Sequence, residues 1–289
     1  MVWTQYTVIY ELRSPLHIGC HKVGNVQRTR YYIPARNLWG AVTETLTRRG
    51  FSTNGVTEGN YQQIGAWVKE HCAFGYWFIQ ENGKWLYPRH DGNCLKYGHL
   101  TTTDFELRYL DAHVTTALDP STTSAEEGSL HEVEFISPYN PVKPDKTEAA
   151  KPTRIGGWVF LDDNAMPLLG EESKWRTWLG DLQIGGERRY GFGMLRLLKI
   201  ELANESQIDP TGIHPRQYVP KGTTLLAHTV IAPSIRIRGQ IEPLVGRATS
   251  QSHTFGLDLT RGIVCWTPGS VPMDDVKVQF EPEGHWCVV

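Results

Sequence analysis

The amino-acid sequence predicts an α+β protein. Four segments support this prediction, one near the N-terminus and three that follow one another over residues 171–202. Residues Trp3–Leu12 are rich in Val, Ile, Thr and Tyr, which favour a strand. Within Glu171–Leu182, large apolar residues recur at the spacing of one helix face, namely Trp175, Trp178, Leu179 and Leu182. The segment Gly185–Gly193 contains four glycines and leads directly into a strand-like segment, Met194–Leu202. The chain therefore mixes helices with strands in an α+β order.

Further elements follow from local patterns along the chain. A helix is predicted to begin near Pro34, because proline suits the first helical turn and Leu38, Val42 and Leu46 recur at helical spacing. Apolar periodicity and turn residues predict a helix at Asn60–Cys72, a hairpin from Tyr76–Ile79 to Lys84–Tyr87, and strands at His131–Ile136 and Arg154–Leu161. Polar composition predicts a loop over residues 14–30, an exposed loop at Thr115–Gly128 and a linker at Tyr139–Pro152.

The order of these elements predicts two ferredoxin-like halves followed by a β-rich extension. Over residues 131–203 the order is strand, strand, helix, glycine-rich turn and strand, which matches most of a ferredoxin-like unit. The strand, loop and helix at the N-terminus match the start of a second such unit, which we assign to residues 1–130. From Gly222 onward the chain is strand-like, with glycines and prolines between the strands. We therefore predict that residues 204–289 form a β-rich extension packed on the core.

Composition limits the classes of function. The 289 residues suffice for one large or two ordinary domains, and 40% hydrophobic with 21% charged residues fits a soluble globular protein. We find neither a membrane-spanning run nor a signal peptide. The five cysteines form no CxxC pair, which favours reduced thiols in the cytoplasm over disulfides. Because the net charge is −2, any site for nucleic acid must be a local basic surface.

The glycine segment, Gly185–Gly193, is the most informative part of the chain. Its glycines let the backbone approach a ligand and present N–H groups to phosphate oxygens. Arg188 and Arg189 add positive charge, while Tyr190 and Phe192 could stack on bases. The segment runs from a helix into a strand, which excludes the Rossmann and P-loop motifs, because those run from a strand into a helix. A glycine-rich turn with solvated arginines is the alternative.

Four stretches of the sequence resemble the RAMP superfamily, the repeat-associated proteins of CRISPR effector complexes. They are the glycine segment with its strand, IGGERRYGFGMLRL; the N-terminal SPLHIG and YYIPARNLWGAVTETL; HVTTALDPSTTSAEEGSLHEVEFI; and the closing strand VCWTPGSV. Ala35-Arg36-Asn37 stands where the family usually has small residues. The matches occur in the expected order over nearly the whole chain.

This resemblance implies ferredoxin-like folds that hold CRISPR RNA through the glycine-rich loop and the loops around the first helix. By it we assign RNA contact to Gly185, Gly186, Arg188, Arg189, Tyr190, Gly191, Phe192, Gly193, His17, Lys22, Arg28, Arg30, Arg36 and Asn37. In type III complexes, backbone subunits cleave target RNA with an aspartate before the first helix, but the interval Gly19–Ala35 contains no Asp or Glu. The resemblance therefore favours the non-catalytic, Cas-five-like capping subunit of a type III complex, including the larger capping subunits of type III-D systems, which holds the 5′ handle of the CRISPR RNA. Its expected partners are the large signature subunit and a backbone subunit.

Two other functions stay open. The first is a metal-independent endoribonuclease that processes guide RNA, in which His17 or His21 would move protons with help from Lys22 and Tyr31. In such enzymes the glycine loop usually lies near the C-terminus, which disfavours this alternative. The second is a subunit that contacts only protein. No cofactor or metal is expected, since the pair His71-Cys72 has no further candidate ligands nearby in the sequence.

Overall fold

The computed structural model describes residues 2–92, 94–140, 150–203, 208–209, 211, 213–249, 255–282 and 284–289. In these ranges the helices are α1 (Ala35–Arg48), α2 (Tyr61–His71), α3 (Thr102–Tyr109), α4 (Met166–Leu169) and α5 (Glu172–Leu179). A short 3-10 turn covers Arg188–Tyr190 inside the glycine segment.

Strands make up most of the remaining regular structure. Up to the glycine segment they are β1 (Trp3–Leu12), β2 (Gly19–Val23), β3 (Val26–Thr29), β4 (Cys72–Phe74), β5 (Phe78–Glu81), β6 (Lys84–Trp85), β7 (Pro88–Asp91), β8 (Cys94–Tyr97), β9 (Leu100–Thr101), β10 (Leu110–Thr115), β11 (His131–Ile136), β12 (Tyr139–Asn140), β13 (Lys151–Pro152), β14 (Arg154–Asp162) and β15 (Asp181–Gln183). After it they are β16 (Met194–Leu202), β17 (Ile208–Asp209), β18 (Arg216–Val219), β19 (Thr229–Val230), β20 (Ile237–Arg238), β21 (Ile241–Leu244), β22 (Arg247–Thr249), β23 (Phe255–Leu259), β24 (Ile263–Trp266), β25 (Val271–Pro272), β26 (Val276–Phe280) and β27 (Trp286–Val288).

A central antiparallel sheet has the strand order β15-β16-β1-β14-β5-β6, and β4 also pairs with β14. With α1 between β1 and β4, and α5 between β14 and β16, this is the β-α-β-β-α-β order of a ferredoxin-like unit. The α+β class with a ferredoxin-like unit is thus confirmed. The segments predicted as two halves, 1–130 and 131–203, share this sheet, because β1 lies between β14 and β16.

Alternating burial along β1 shows which face of the sheet packs on the helices. Its side chains Val8, Tyr10 and Leu12 are buried at every second residue, as expected where one face of a sheet packs on helices. The Tyr10 hydroxyl donates to the carbonyl of Leu179 (2.7 Å) and accepts from the Trp175 indole (2.9 Å). These two hydrogen bonds hold α5 on the sheet at the point where the chain turns toward the glycine segment.

Two local predictions differ from the structure, and a third, the start of the first helix, agrees to within one residue. The helix predicted at 171–182 ends at Leu179, and Leu182 lies in β15, where its side chain is buried by the sheet. The loop predicted over residues 14–30 contains the hairpin β2–β3. The first helix begins at Ala35, with Pro34 as its N-cap residue. Part of the linker predicted at Tyr139–Pro152, residues 141–149, lies outside the described residues, and β12 pairs with β13 on either side of it.

Besides the central sheet, the two largest sheets among the described residues are a four-stranded sheet and the sheet of the extension. The order β10-β11-β3-β2 forms a four-stranded sheet, in which the loop predicted at Thr115–Gly128 connects β10 to β11 and is mostly exposed. The extension forms a sheet of order β17-β18-β26-β27-β19-β24-β21, and its described residues from Gly222 onward contain no helix, as predicted. Its buried side chains are continuous with the main core, for example through Phe280 against Phe160, with ring centroids 5.0 Å apart.

Candidate nucleic-acid interface

The glycine segment reverses the chain between β15 and β16 through backbone conformations that favour glycine. Positive φ angles occur at Gly185 (94°), Gly191 (84°) and Gly193 (78°), and also at Glu187 (52°). No residue of the 3-10 turn between them is fully buried. The sequence therefore builds a tight, projecting loop at this edge of the central sheet.

The base of this loop is fastened to the segment Ser14–Gly19. The Gly186 N–H donates to the carbonyl of His17 (2.8 Å), and the Gly193 N–H donates to the carbonyl of Pro15 (2.7 Å). A methyl group at position 193 would collide with the carbonyl oxygen of Ile184, and one at position 185 would collide with that of His17. Both glycines are therefore required by the packing of the protein itself.

Gly191 differs from the other glycines of the loop. A side-chain carbon built there meets no atom within 4 Å, whereas one at Gly186 would lie 2.9 Å from the His17 ring. Among the described residues, no contact accounts for the absence of a side chain at Gly191, and only its positive φ favours glycine there. It is the position in the loop at which an external group can come close to the backbone.

Arg189 and Tyr190 form the exposed tip of the loop. Both side chains point into solvent, the tyrosine with 81% of its surface exposed, and neither forms a hydrogen bond or ion pair with any described residue. Phe192, by contrast, is half-buried and packs edge-to-face on Phe135 of β11, with centroids 5.6 Å apart. Of the two aromatic residues predicted to stack on bases, Tyr190 is free to do so, and Phe192 supports the loop.

Arg188 lies at the side of the loop, where it forms an ion pair with Glu44 of α1. Glu44 also pairs with Arg48 of the same helix at 3.3 Å. The Gln183 amide donates to the backbone carbonyls of Arg188 and Phe192, both at 3.0 Å, which fixes the loop from below. One carboxylate thus holds two guanidinium groups beside the exposed loop tip.

His17 lies beneath the loop. Its side chain is 4% exposed, and its Nδ1 atom is 2.7 Å from the carbonyl oxygen of Glu134. The imidazole therefore fills the space between the glycine segment and β11. His21, the other candidate proton donor or acceptor, is exposed on β2.

The basic residues of the β2–β3 hairpin differ in their availability. Lys22 is exposed and has no ion-pair partner among the described residues. Arg28 is half-buried and pairs with Glu134 of β11 at 3.2 Å. Arg30 is turned inward, where it pairs with Glu242 of the extension at 2.7 Å. Of these three basic residues, all predicted to contact RNA, Lys22 is thus the most openly presented.

Arg36 and Asn37 occupy the first turn of α1, and both are half-buried. The Arg36 guanidinium donates to the carbonyl of Arg247 (2.9 Å), and its side chain lies against Gly246. The extension therefore covers the start of α1. This arrangement depends on contacts between residues more than 200 positions apart in the sequence, which no local pattern indicates.

A buried polar network, absent from the sequence predictions, joins the extension to the ferredoxin-like unit. The Tyr76 hydroxyl is 2.7 Å from Nδ1 of His228, and Nε2 of His228 bonds to Glu242, which also pairs with Arg30. Burial lowers the pKa of His228 and raises that of Tyr76. Although burial opposes ionisation of Glu242, the hydrogen bond from His228 and the charge of Arg30 lower its pKa to about 2. A neutral imidazole that accepts from Tyr76 and donates to Glu242 satisfies every partner.

Carboxylates reach the interval Gly19–Ala35 from distant elements, although the interval itself contains none. Glu134 accepts from the Thr29 N–H (2.9 Å), and Glu106 accepts from the Tyr31 hydroxyl (2.6 Å). Each is engaged in a hydrogen bond that holds the interval in place. Among the described residues, no group of three or more His, Cys, Asp and Glu side chains is placed to hold a metal ion. Of the pair His71-Cys72, His71 bonds to Asp162 (2.8 Å) and Cys72 is buried.

No helix in the described part of the chain has the length and apolar character needed to span a membrane.

A ferredoxin-like sheet that carries a glycine-rich loop between its second helix and last strand defines a recognisable class of α+β protein. The family model of the RAMP superfamily matches residues 9–196, more than half of the chain, and this span includes the end of β1, all of α1 and the glycine segment. The chain belongs to the RAMP superfamily. The predicted resemblance to the superfamily is thereby confirmed, although one stretch used for it, the closing strand VCWTPGSV, lies outside the matched residues.

Solved structures support the fold. A chain in the cryo-EM structure of the Type III-B Cmr-beta bound to cognate target RNA and AMPPnP matches with a TM-score of 0.55 and 14% identity, over 93% of this chain and 85% of that chain. A chain of the same complex bound to cognate target RNA matches with a TM-score of 0.51 and 14% identity, over 93% and 86%. No curated protein sequence matches the chain.

Proposed function

We propose that this RAMP protein is a non-catalytic, RNA-binding subunit of a type III CRISPR effector ribonucleoprotein. In this proposal it holds the 5′ handle of the CRISPR RNA and contacts the large signature subunit and a backbone subunit. The observation that carries the proposal is the exposed loop tip, where Arg189 and Tyr190 project from a loop that is fastened at its base. Family membership and the likeness in fold to chains of Cmr-beta complexes agree with it.

The geometry of the tip suits single-stranded RNA. Arg189 offers a guanidinium with no partner in the described part of the chain, Tyr190 offers a ring for base stacking, and Gly191 leaves room for a phosphate to approach the backbone. Lys22 is a further exposed cation on the hairpin that pairs with β11. The site is small and local, as expected for a protein whose net charge is −2.

Binding of a synthetic RNA with the host's repeat-derived 5′ handle tests the proposal. Arg189→Ala should weaken binding and lower the slope of log affinity against log salt by roughly 0.7–1, the contribution of one phosphate contact. Tyr190→Ala should weaken binding by about 1–3 kcal/mol, and Tyr190→Phe should retain it, because stacking requires only the ring. The control is Arg236→Ala, which removes another exposed arginine, one that pairs with Asp274, from the extension. Equal effects of Arg189→Ala and Arg236→Ala would contradict the proposal.

The processing endoribonuclease is the alternative that a specific residue supports. His21 is exposed on β2 beside Lys22, whereas His17 is buried with Nδ1 engaged. We propose that the chain leaves both a repeat-containing RNA and a guide–target duplex intact, with or without magnesium. Cleavage within the repeat that disappears in His21→Ala or His17→Ala would establish the nuclease instead. A subunit that contacts protein alone would show no handle-RNA binding that depends on the loop tip. The wild type and the loop-tip variants would then give the same result.

A further inference from the structure

A second group of charges lies at the C-terminal end of α1, beside the glycine segment. Glu44 and Arg48 are four residues apart on this helix, and the Oε1 atom of Glu44 lies 3.3 Å from the Arg48 guanidinium. The Oε2 atom of the same carboxylate forms the ion pair with Arg188. Each oxygen of Glu44 thus faces one guanidinium group. We call Glu44, Arg48 and Arg188 the Glu44 cluster.

An ordinary helix ion pair does not explain the Glu44 cluster. A Glu and an Arg at i,i+4 spacing are common on exposed helices, and such a pair involves one carboxylate and one cation. Here a third group, Arg188, reaches the same carboxylate from a loop that lies 144 residues further along the chain. Two guanidinium groups repel each other, and the single charge of Glu44 balances only one of them. The cluster therefore keeps an excess of positive charge next to the loop tip.

The two arginines of the cluster are more open to solvent than the carboxylate between them. The side chain of Arg48 is 73% exposed and that of Arg188 is 34% exposed, whereas that of Glu44 is 22% exposed. The pairing with Glu44 is the one polar contact that the Arg48 side chain makes with described residues, and a guanidinium has five N–H donors. An anion that approaches from solvent therefore finds unused donors on Arg48.

Arg49 adds further positive charge to this end of α1. Its guanidinium donates to the backbone carbonyl of Thr177, a neutral partner, so this contact leaves its charge unbalanced. Two carboxylates belong to neighbouring segments: Glu58 lies against Gly50, and Glu187 is half-buried in the glycine segment. Among the described residues, neither forms an ion pair with the arginines of the cluster. Glu44 is thus the carboxylate with which an incoming anion must compete.

The cluster suits the phosphate backbone of RNA better than it suits another protein. A phosphate group presents oxygens that share a negative charge, as the Glu44 carboxylate does, and guanidinium groups bind both kinds of anion in the same forked geometry. The core of a protein interface is apolar, but neither α1 nor the first turn of α2 exposes a large apolar side chain. Arg188 also precedes Arg189 of the loop tip within one 3-10 turn, so RNA that lies on the tip is already close to the cluster.

We propose that the RNA strand bound at the loop tip continues along the end of α1, where Arg48 and Arg188 together hold one phosphate group. Glu44 competes with this phosphate for both arginines. The inference rests on the proposed function, because it extends the RNA site of the loop tip. It adds a contact residue on a different element, Arg48, and it makes Glu44 a built-in competitor of the RNA backbone.

Binding of the handle RNA at several salt concentrations tests the inference. Arg48→Ala should weaken binding about tenfold and lower the slope of log affinity against log salt by roughly 0.7–1, because Glu44 then neutralises Arg188 and the shared phosphate contact is lost. Arg48→Lys should retain most of the slope, since the charge remains. The matched control is Arg236→Ala, because Arg236 is 79% exposed and is paired with one carboxylate, that of Asp274. The control should change neither the affinity nor the slope.

Double variants test whether the two arginines share one phosphate. Arg48→Ala combined with Arg188→Ala should lower the slope no further than either single variant, because both arginines belong to one contact. In the Glu44→Gln background, Arg48→Ala should have a smaller effect, since Arg188 is then available to the phosphate. The midpoint of urea unfolding shows whether each variant keeps its fold, and Arg48→Gln takes the place of Arg48→Ala if the latter has a lowered midpoint.

Equal affinities and slopes for Arg48→Ala and Arg236→Ala would overturn the inference, and so would additive losses in the double variant. An Arg48→Ala chain that binds handle RNA normally but loses co-purified protein subunits would also overturn it, because the cluster would then face protein. The proposed function is decided separately by Arg189→Ala. Weakened binding in Arg189→Ala with none in Arg48→Ala would leave the RNA site at the loop tip in place and remove the path along α1.

Discussion

Gly193→Ala should destabilise the protein more than Gly191→Ala, although the two glycines have similar φ angles of 78° and 84°. An alanine methyl at position 191 would extend into open space. At position 193 it would collide with the carbonyl oxygen of Ile184, which is backbone and cannot rotate away. The pair therefore separates the cost of backbone conformation from the cost of lost packing within one loop.

The expected magnitudes follow from these contacts. Placing an L-residue in the left-handed region costs about 1–2 kcal/mol, and this term applies to both variants. At Gly193, relief of the collision also disturbs the hydrogen bonds to Pro15 (2.7 Å) and from Ile184 (2.9 Å). Each contributes a net of about 0.5–1.5 kcal/mol. We thus expect a loss of about 1–2 kcal/mol for Gly191→Ala and about 2–5 kcal/mol for Gly193→Ala.

Equilibrium urea unfolding of the two variants and the wild type measures this difference through the transition midpoint. Gly191→Ala should also weaken handle-RNA binding while it remains folded, because its methyl occupies the space we assign to a phosphate. Equal midpoints for both variants would refute the account of the loop's base. A Gly191→Ala variant with unchanged RNA affinity would refute the assignment of the open position.

Three further predictions concern charge and mobility. Glu44→Gln should strengthen handle-RNA binding and steepen its salt dependence, because it releases Arg188 for phosphate contact. The free energy of unfolding should fall as pH drops below about 6.5, since burial lowers the pKa of His228 and the unfolded chain takes up the proton first. Urea unfolding from pH 7 to pH 5 measures this fall, which should be shallower in His228→Phe. The exposed control His113→Phe should show the same fall as the wild type. Amide hydrogen exchange at Thr115–Gly128 should be fast in the free chain and slow in the assembled complex, and strong protection in the free chain would contradict this.

The elements that could be predicted from the sequence are those with a one-sided burial pattern. The strand Trp3–Leu12 was predicted with the bounds it has in the structure, because its apolar residues alternate along one buried face. The hairpin near residue 80 was predicted from its turn, where Asn82 and Gly83 adopt positive φ angles of 50° and 79°. Both patterns depend only on residues that are neighbours in the sequence, and the structure contains the elements that they predict.

Elements without such a pattern could not be predicted. The strand Gly19–Val23 is mostly exposed on both faces, so its residues have the composition of a loop even though they pair with β3. Leu182 continues the helical spacing of Trp175 and Leu179, yet pairing with β16 places it in a strand. In both cases tertiary pairing outweighs the local preference.

The candidate site divides in the same way. The glycine spacing and the adjacent arginines identified the loop, and the structure places Arg189 and Tyr190 at its exposed tip. The sequence could not distinguish them from Arg188, whose partner Glu44 is 144 residues away. Nor could it show that His17 is buried beneath the loop, or that Arg30 and Arg36 are held by the extension. Such contacts depend on which distant elements of the fold pack together. The spacing of residues along the sequence does not predict them.

The most direct test of the central claim is to identify any RNA that co-purifies with this protein from its host. The chain is purified with its native partners, the bound RNA is extracted, and both ends are sequenced. The account predicts guide RNAs that share a repeat-derived 5′ handle, with that handle cross-linked to the loop tip at Arg189–Gly191 on ultraviolet irradiation. A preparation without RNA, or RNA that lacks repeat sequence, or handle cross-links that map away from the loop, would contradict it.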